Sequence, residues 1–231
     1  MDIGILCGEK HLDIKVPDNA VVLTPNAADG LPDPEGAVAD AIARPIGSAP
    51  LAELAAGRSD ACIVISDITR PVPNRQVLPP ILKTLETAGI ARDAITILIA
   101  TGMHRPNEGR ELESVVGPEI MANYRIINHF CRKQEELRHI ADIDGAAIEL
   151  NSHYLDADLK ILTGLIEPHM YAGYSGGRKA LLPGISSYRT MTHMHSFKMI
   201  DHPNVTNCRL DGNPFHEAGQ QVCELAGVDF I

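Results

Sequence analysis

The sequence predicts an α/β fold of three layers, a mostly parallel sheet with helices on both faces, preceded by a short β-hairpin. Three observations predict it. From residue 61 onward, short continuous apolar runs rich in isoleucine recur, as strands buried on both faces require. Between the first two runs, Val77, Leu78, Ile81, Leu82 and Leu85 fall at helical spacing. Strand, helix and strand in alternation then dictate parallel pairing with right-handed crossovers, the Rossmann-like arrangement.

Each element has its own signal. Residues 3–6 and 20–23 are β-rich and are separated by the turn signal Pro17-Asp-Asn19, so they are expected to form the hairpin. Residues 24–50 hold five prolines and several glycines, which predicts a segment wrapping over the surface, with a short helix over the alanine-rich stretch 37–43. Residues 1–60 are thus read as hairpin and wrapping segment, and residues 61–231 as the α/β core. The core strands are expected at 61–65, 94–100, 124–128 and 159–166, with a helix over 76–88 and a further short strand over 147–150. A helical pattern over 215–226 ends in a glycine stop at Gly227, and Val228-Asp-Phe-Ile231 reads as the start of another strand. The expectation is that the natural polypeptide continues and that these residues are one domain of something longer.

Composition excludes several function classes. Of 231 residues, 45% are hydrophobic and 22% charged, and no run approaches 18 uncharged apolar residues, so a soluble globular chain with neither signal peptide nor membrane helix is expected. Thirty acids against twenty bases give a charge of -10, which repels a nucleic-acid backbone, and the bases are scattered. Tryptophan is absent and aromatic residues make up 4%, which leaves little for base stacking. Five cysteines without a C-x-x-C pair point to reduced thiols in a cytoplasm, and away from a disulfide scaffold or a thiolate zinc site.

Ligands of an open α/β sheet bind beyond the carboxyl ends of its strands, so the loops after the apolar runs carry the chemistry. They are Ser66-Asp-Ile-Thr-Arg-Pro-Val-Pro-Asn-Arg75, Thr101-Gly-Met-His-Arg-Pro-Asn107, Asn128-His-Phe-Cys131, and Glu167-Pro-His-Met-Tyr-Ala-Gly-Tyr-Ser-Gly-Gly-Arg-Lys179. On one sheet, Asp67, Arg70, His104, Arg105, His129, His169, Arg178 and Lys179 are expected to converge on one rim. The cations among them imply an anionic ligand, since arginine grips carboxylate or phosphate through paired donors. Any one of these residues alone reads equally as a helix cap or a surface ion pair.

The glycine-rich segment permits three readings. A Walker A loop requires glycine before the lysine and Ser or Thr after it, whereas the chain has Arg178 and Ala180. Gly173-Tyr-Ser-Gly-Gly177 matches the nucleophile elbow G-x-S-x-G, with Asp201 or Asp211 and then His216 in the right chain order, although Glu167-Pro-His intervenes between strand and elbow. As an anion cradle, Ser175, Gly176 and Gly177 bring backbone N–H groups to a phosphate, with Arg178 and Lys179 adding charge. Further on, His193 and His195 lack a cysteine or carboxylate partner at metal-site spacing.

Taken together, three blocks resemble the nickel-dependent lactate racemase family. They are Asp67-Ile-Thr-Arg-Pro-Val-Pro73, Thr101-Gly-Met-His-Arg-Pro106, and the long block from Glu167 through Lys179 to Gly184, with His195 at the family's interval beyond the lysine. The resemblance covers nearly the whole chain as that family's N-terminal domain, the C-terminal domain being absent. It implies a nickel pincer nucleotide (pyridinium-3-thioamide-5-thiocarboxylic acid mononucleotide) joined to Lys179, with His195 as the nickel ligand. It also implies racemisation or epimerisation of a 2-hydroxy acid, lactate or a relative, by proton-coupled hydride transfer to that cofactor. His104 and His169 match the acid/base pair, Arg70 the substrate-holding residue, and Asp67 a residue that orients the cofactor or Arg70. Maturation proteins that build the cofactor and insert nickel are implied as partners, and a host without them makes apo protein. The isolated 231 residues are expected to be inactive or nearly so. Two alternatives stay open from the residues alone: a serine hydrolase using Ser175, and a non-catalytic domain that binds an anionic nucleotide.

Overall fold

The protein's structure, a computed structural model, describes residues 1–231 apart from Glu9, Pro25 and Ala27. The chain forms two compact units, Met1–Pro32 and Asp33–Ile231.

In the first unit, β1 (Asp2–Cys7) pairs antiparallel with β2 (Lys10–Lys15), Ile3 opposite Ile14 and Ile5 opposite Leu12. The hairpin expected from sequence exists, but its second arm is not residues 20–23, which have no regular structure. The reason is periodicity. Leu12 and Ile14 alternate with Lys, His and Asp, which suits a ribbon with one apolar side, whereas Val21-Val-Leu23 is continuous and leaves Val21 and Leu23 exposed. The Pro17-Asp-Asn signal does make a turn, closed by Ala20 N–H on the Pro17 carbonyl. Of the predicted wrapping segment, Pro25 and Ala27 lie outside the described residues.

The second unit opens with α1 (Pro34–Ala43), capped by the Asp33 carboxylate, and α2 (Leu51–Ala55). Then come β3 (Ala61–Ser66), α3 (Asn74–Thr87), β4 (Ile95–Ala100), α4 (Gly109–Val116), α5 (Pro118–Asn123) and β5 (Arg125–Asn128). After them lie β6 (Leu137–Ile143), β7 (Ala146–Asn151), α6 (Ser152–Leu155), β8 (Leu159–Leu162) and the two-residue strands β9 (Pro168–His169) and β10 (Gly173–Tyr174). The last helices are α7 (Tyr188–Met194), α8 (Phe197–Ile200) and α9 (Pro214–Ala226).

The central sheet is wholly parallel, in the order β5-β4-β3-β8. Beyond Gly227, whose φ of 74° stops α9, Phe230 bridges Ile161 in parallel on the outer side of β8. Alternation of side chains divides the core in two. Ile63, Ile65, Ile97, Ile99 and Ile161 face α1, α2 and α3, while Cys62, Val64, Leu98 and Leu162 face the opposite layer. That second layer holds α6, α7 and α9 together with β6 and β7, an antiparallel pair that the sequence pattern revealed only in part, as the strand at 147–150. The three-layer α/β prediction holds. Among the described residues no helix is long and apolar enough to cross a membrane.

Candidate active site

Parallel strands all end on the same side, and their loops enclose one cavity of about 250 Å³. Its walls include Asp67 and Arg70 beyond β3, His104 beyond β4, and His169, Ser175, Gly176 and Lys179 beyond β8. His195 reaches the same cavity from the C-terminal end of α7. Because β3 lies between β4 and β8, His104 and His169 hang from the two strands that flank it. Asn107 ties the loops together: its Oδ1 accepts from Ile68 N–H, and its backbone pairs with the Asn128 side chain.

Asp67 is buried, and its carboxylate is fully used. One oxygen accepts from the Thr69 hydroxyl at 2.6 Å, and the other lies 2.7 Å from His104 Nδ1. A carboxylate there assigns the ring proton to Nδ1 and leaves the Nε2 lone pair of His104 free. Sequence reasoning gave Asp67 to the cofactor or to Arg70; the structure places it on His104, behind Thr69.

His169 is set the opposite way. Its Nδ1 accepts from the N–H groups of Tyr171 and Ala172 at 3.2 and 3.3 Å, so the neutral ring carries its proton on Nε2. Burial, with Lys179 and Arg70 nearby, pushes its pKa down to about 4.

Lys179 stands in a single 3-10 turn, Gly177–Ala180. Burial and then the neighbouring Arg70 and Arg178 lower its pKa to about 8, against a small opposing effect of Glu167. A lysine so placed has a larger neutral fraction near physiological pH than an ordinary lysine, which favours it as a nucleophile. Glycine at 176 is what allows the loop to pass: its φ is 78°, and a Cβ there would lie 3.1 Å from the Leu165 carbonyl oxygen.

His195 donates Nδ1–H to the Met191 carbonyl at 2.9 Å, which leaves the Nε2 lone pair free with its orientation fixed. Phe215 and Tyr171 meet the ring edge-on, with centroids 5.4 and 6.0 Å away. Among the described residues no group of three or more His, Cys, Asp or Glu side chains is arranged to hold a metal ion by itself. A metal-bearing group in this cavity would meet one imidazole, His195, and one amine, Lys179, on its wall, so the metal's other ligands would have to come with the group itself.

Other predicted residues lie elsewhere. Gly177 and Arg178 do not line the cavity; the Arg178 guanidinium donates to the Ala172 carbonyl at 2.8 Å and lies against Gly219 of α9. His129 comes directly after β5 but is buried, with Nε2–H on the Ser186 carbonyl and Nδ1 facing the Asn151 amide, and burial lowers its pKa to about 4. Arg105 pairs with Glu111 on the surface, and His193 does not reach the cavity. Ser175 is buried and donates its hydroxyl proton to the Leu165 carbonyl at 2.5 Å, a backbone oxygen in place of the titratable base that a nucleophile needs. Sequence reasoning missed the partner of Arg70: Nη1 of Arg70 donates to Glu167 at 2.7 Å.

The model of the lactate racemase N-terminal domain matches residues 7–207. The chain is 35% identical over 198 residues to a lactate racemase of Thermoanaerobacterium thermosaccharolyticum, covering 85% of this chain and 46% of that protein. It is 39% identical over 189 residues to a lactate racemase of Lactiplantibacillus plantarum, covering 81% of this chain and 44% of that one. The structure of the Thermoanaerobacterium lactate racemase apoprotein superposes with a TM-score of 0.84 at 32% identity, over 99% of this chain and 54% of that chain. A Thermotoga maritima protein shares the fold, with a TM-score of 0.67 at 22% identity over 84% of this chain and 48% of that chain. The chain thus spans about half the length of the curated relatives it matches.

Proposed function

The chain belongs to the lactate racemase family, matching its N-terminal domain, and from that premise we propose that it is the cofactor-bearing part of a racemase acting on lactate or a related 2-hydroxy acid. The observation that carries the reading is the convergence of Lys179, His195, His104, His169 and Arg70 on one cavity at the strand ends. Lys179 would carry the nickel pincer nucleotide, His195 Nε2 would take one position on its nickel, and Ser175 and Gly176 would border it. When bound, that cofactor supplies a hydride acceptor for the carbon that bears the substrate hydroxyl.

The chain's own residues do the rest. Arg70 holds the substrate carboxylate through paired N–H donors. His104 takes the hydroxyl proton on Nε2, and the buried Asp67 stabilises the imidazolium that results. On the other flank His169 presents Nε2–H to the substrate oxygen. To serve as a base for the opposite enantiomer, His169 must move its proton to Nδ1. With the ring as it stands, that proton would face the Tyr171 and Ala172 N–H groups, so the shift requires the ring to turn about its Cβ–Cγ bond.

The relatives have about as much chain again, so we propose that racemisation needs residues beyond those matched here, which would shield the substrate from water. The test fuses this chain to the second half of the Lactiplantibacillus plantarum relative and matures it with cofactor-building proteins. The fusion should interconvert D- and L-lactate, and Arg70→Ala should raise KM more than it lowers kcat. A folded fusion with loaded Lys179 that leaves both lactates unchanged contradicts the proposal.

A further inference from the structure

We propose that Glu167, its backbone held by Ser175, is a positioning residue for Arg70: its carboxylate turns the guanidinium so that its Nε/Nη2 edge faces an incoming carboxylate. The inference rests on the reading that Arg70 binds the anionic group of the substrate.

A guanidinium donates in pairs, from its Nη1/Nη2 end and from its Nε/Nη2 side. Glu167 takes Nη1 at 2.7 Å, and among the described residues no acceptor lies on Nε or Nη2. The side edge is therefore left intact for a second, planar carboxylate. A long arginine with one donor anchored loses less rotamer entropy on binding a ligand than a free one.

Glu167 is itself fixed from behind. Its backbone N–H donates to Ser175 Oγ at 3.0 Å, its carbonyl accepts Ser175 N–H at 2.9 Å, and Ser175 Oγ donates onward to the Leu165 carbonyl. The buried serine of the Gly-x-Ser-x-Gly segment thus clamps the start of the β9–β10 hairpin against the β8 loop. Glu167 then reaches across to Arg70 on the β3 loop, 97 residues away in sequence. At 40% and 36% exposure, the Arg70 and Glu167 side chains stand open to the solution from which a ligand enters.

The geometry separates positioning from charge alone. Glutamine at 167 keeps an oxygen that accepts from Nη1 but has no charge, whereas alanine loses both. The experiment measures the Arg70 Nε–H resonance by NMR and the Kd for lactate by calorimetry in wild type, Glu167→Ala, Glu167→Gln and Arg70→Ala. Glu167→Ala should broaden the Arg70 resonance and weaken lactate roughly tenfold, a loss of about 1.4 kcal/mol. Glu167→Gln should restore most of both.

Tighter lactate binding in Glu167→Ala would make Glu167 a competitor of the substrate and overturn the proposal. Equal effects of alanine and glutamine would reduce its role to charge and overturn it as well. If wild type binds lactate no better than Arg70→Ala, it is the underlying reading of Arg70 that fails. The Arg70 resonance in Glu167→Ala still decides in that case whether Glu167 holds the guanidinium.

Discussion

Asp67 and His104 lie 37 residues apart in sequence, yet a 2.7 Å contact between them determines which nitrogen of the imidazole is free. Asp67→Asn keeps the shape and removes the charge that holds the ring proton on Nδ1. In matured, active enzyme it should lower kcat by roughly two to four orders of magnitude with little change in KM, as loss of the orienting carboxylate does in catalytic triads. A kcat unchanged by the substitution would take His104 out of the proton transfer. Lys179 gives a second prediction at this scale. Its amine, with a pKa of about 8, should be the fastest of the lysines to react with an amine-directed acylating reagent at pH 7.5, rising through about pH 8. Arg70→Ala removes a neighbouring positive charge, so it should raise the Lys179 pKa and slow that labelling. Peptide mass spectrometry reads both rates. Asp67, Arg70 and His104 were legible because they closely follow an apolar run, and Lys179 and His195 through the resemblance of their block to a known family; Glu167 against Arg70 and Asp67 against His104 were not, since nothing local marks pairs joined only by the sheet.

The β strands deliver those residues, and their legibility comes from burial. β3 and β4 are covered on both faces and read as unbroken apolar runs, so the sequence-based boundaries fall within a residue of the structure at most ends. β2 is exposed along nearly its whole length and β6 on alternate parts of it, and both carry Lys, His, Arg or Asp between their apolar residues, so a search for continuous runs passes over them. His129 shows the same limit: the end of β5 is visible in sequence, but not that Ser186, ahead of α7, and Asn151, at the end of β7, close over it. Among the loops, Gly173 in β10 has φ of 75°, and a Cβ would lie 2.2 Å from the Arg209 carbonyl oxygen. Gly173→Ala should therefore cost roughly 2–4 kcal/mol, combining backbone strain with a clash against main chain, measured as the shift in urea midpoint. Because Gly173 lies on the hairpin that bears His169, the same variant should impair lactate binding before it unfolds the core.

For the molecule as a whole, stability and pH are coupled through buried histidine. The unfolded chain protonates His129 near 6.5, while the fold holds that group to about 4. The unfolded state therefore binds more protons as pH falls across that window, and stability falls with it, by on the order of 2–3 kcal/mol from this residue. Urea midpoints at pH 7 and pH 5 should show the loss, and His129→Gln should reduce it. His169, held low in the same way, adds to the effect, so the proposed substrate site and acid stability share a residue. The anionic character of the proposed ligand is likewise a property of the whole: a chain of charge -10 gathers Arg70 and Lys179 at one cavity, with Arg178 close behind.

Covalent loading of Lys179 is the central claim, and it can be measured directly. Protein co-produced with cofactor-building and nickel-inserting proteins is digested, its peptides weighed, and nickel quantified on the same sample. The Lys179 peptide should carry the mass of the thiolated mononucleotide, with about one nickel per chain, and His195→Ala should keep the adduct while losing the metal. A bare Lys179 in wild type, in a host that does load the Lactiplantibacillus plantarum relative, would contradict the assignment and leave the cavity as a site for an anionic nucleotide bound without covalent attachment.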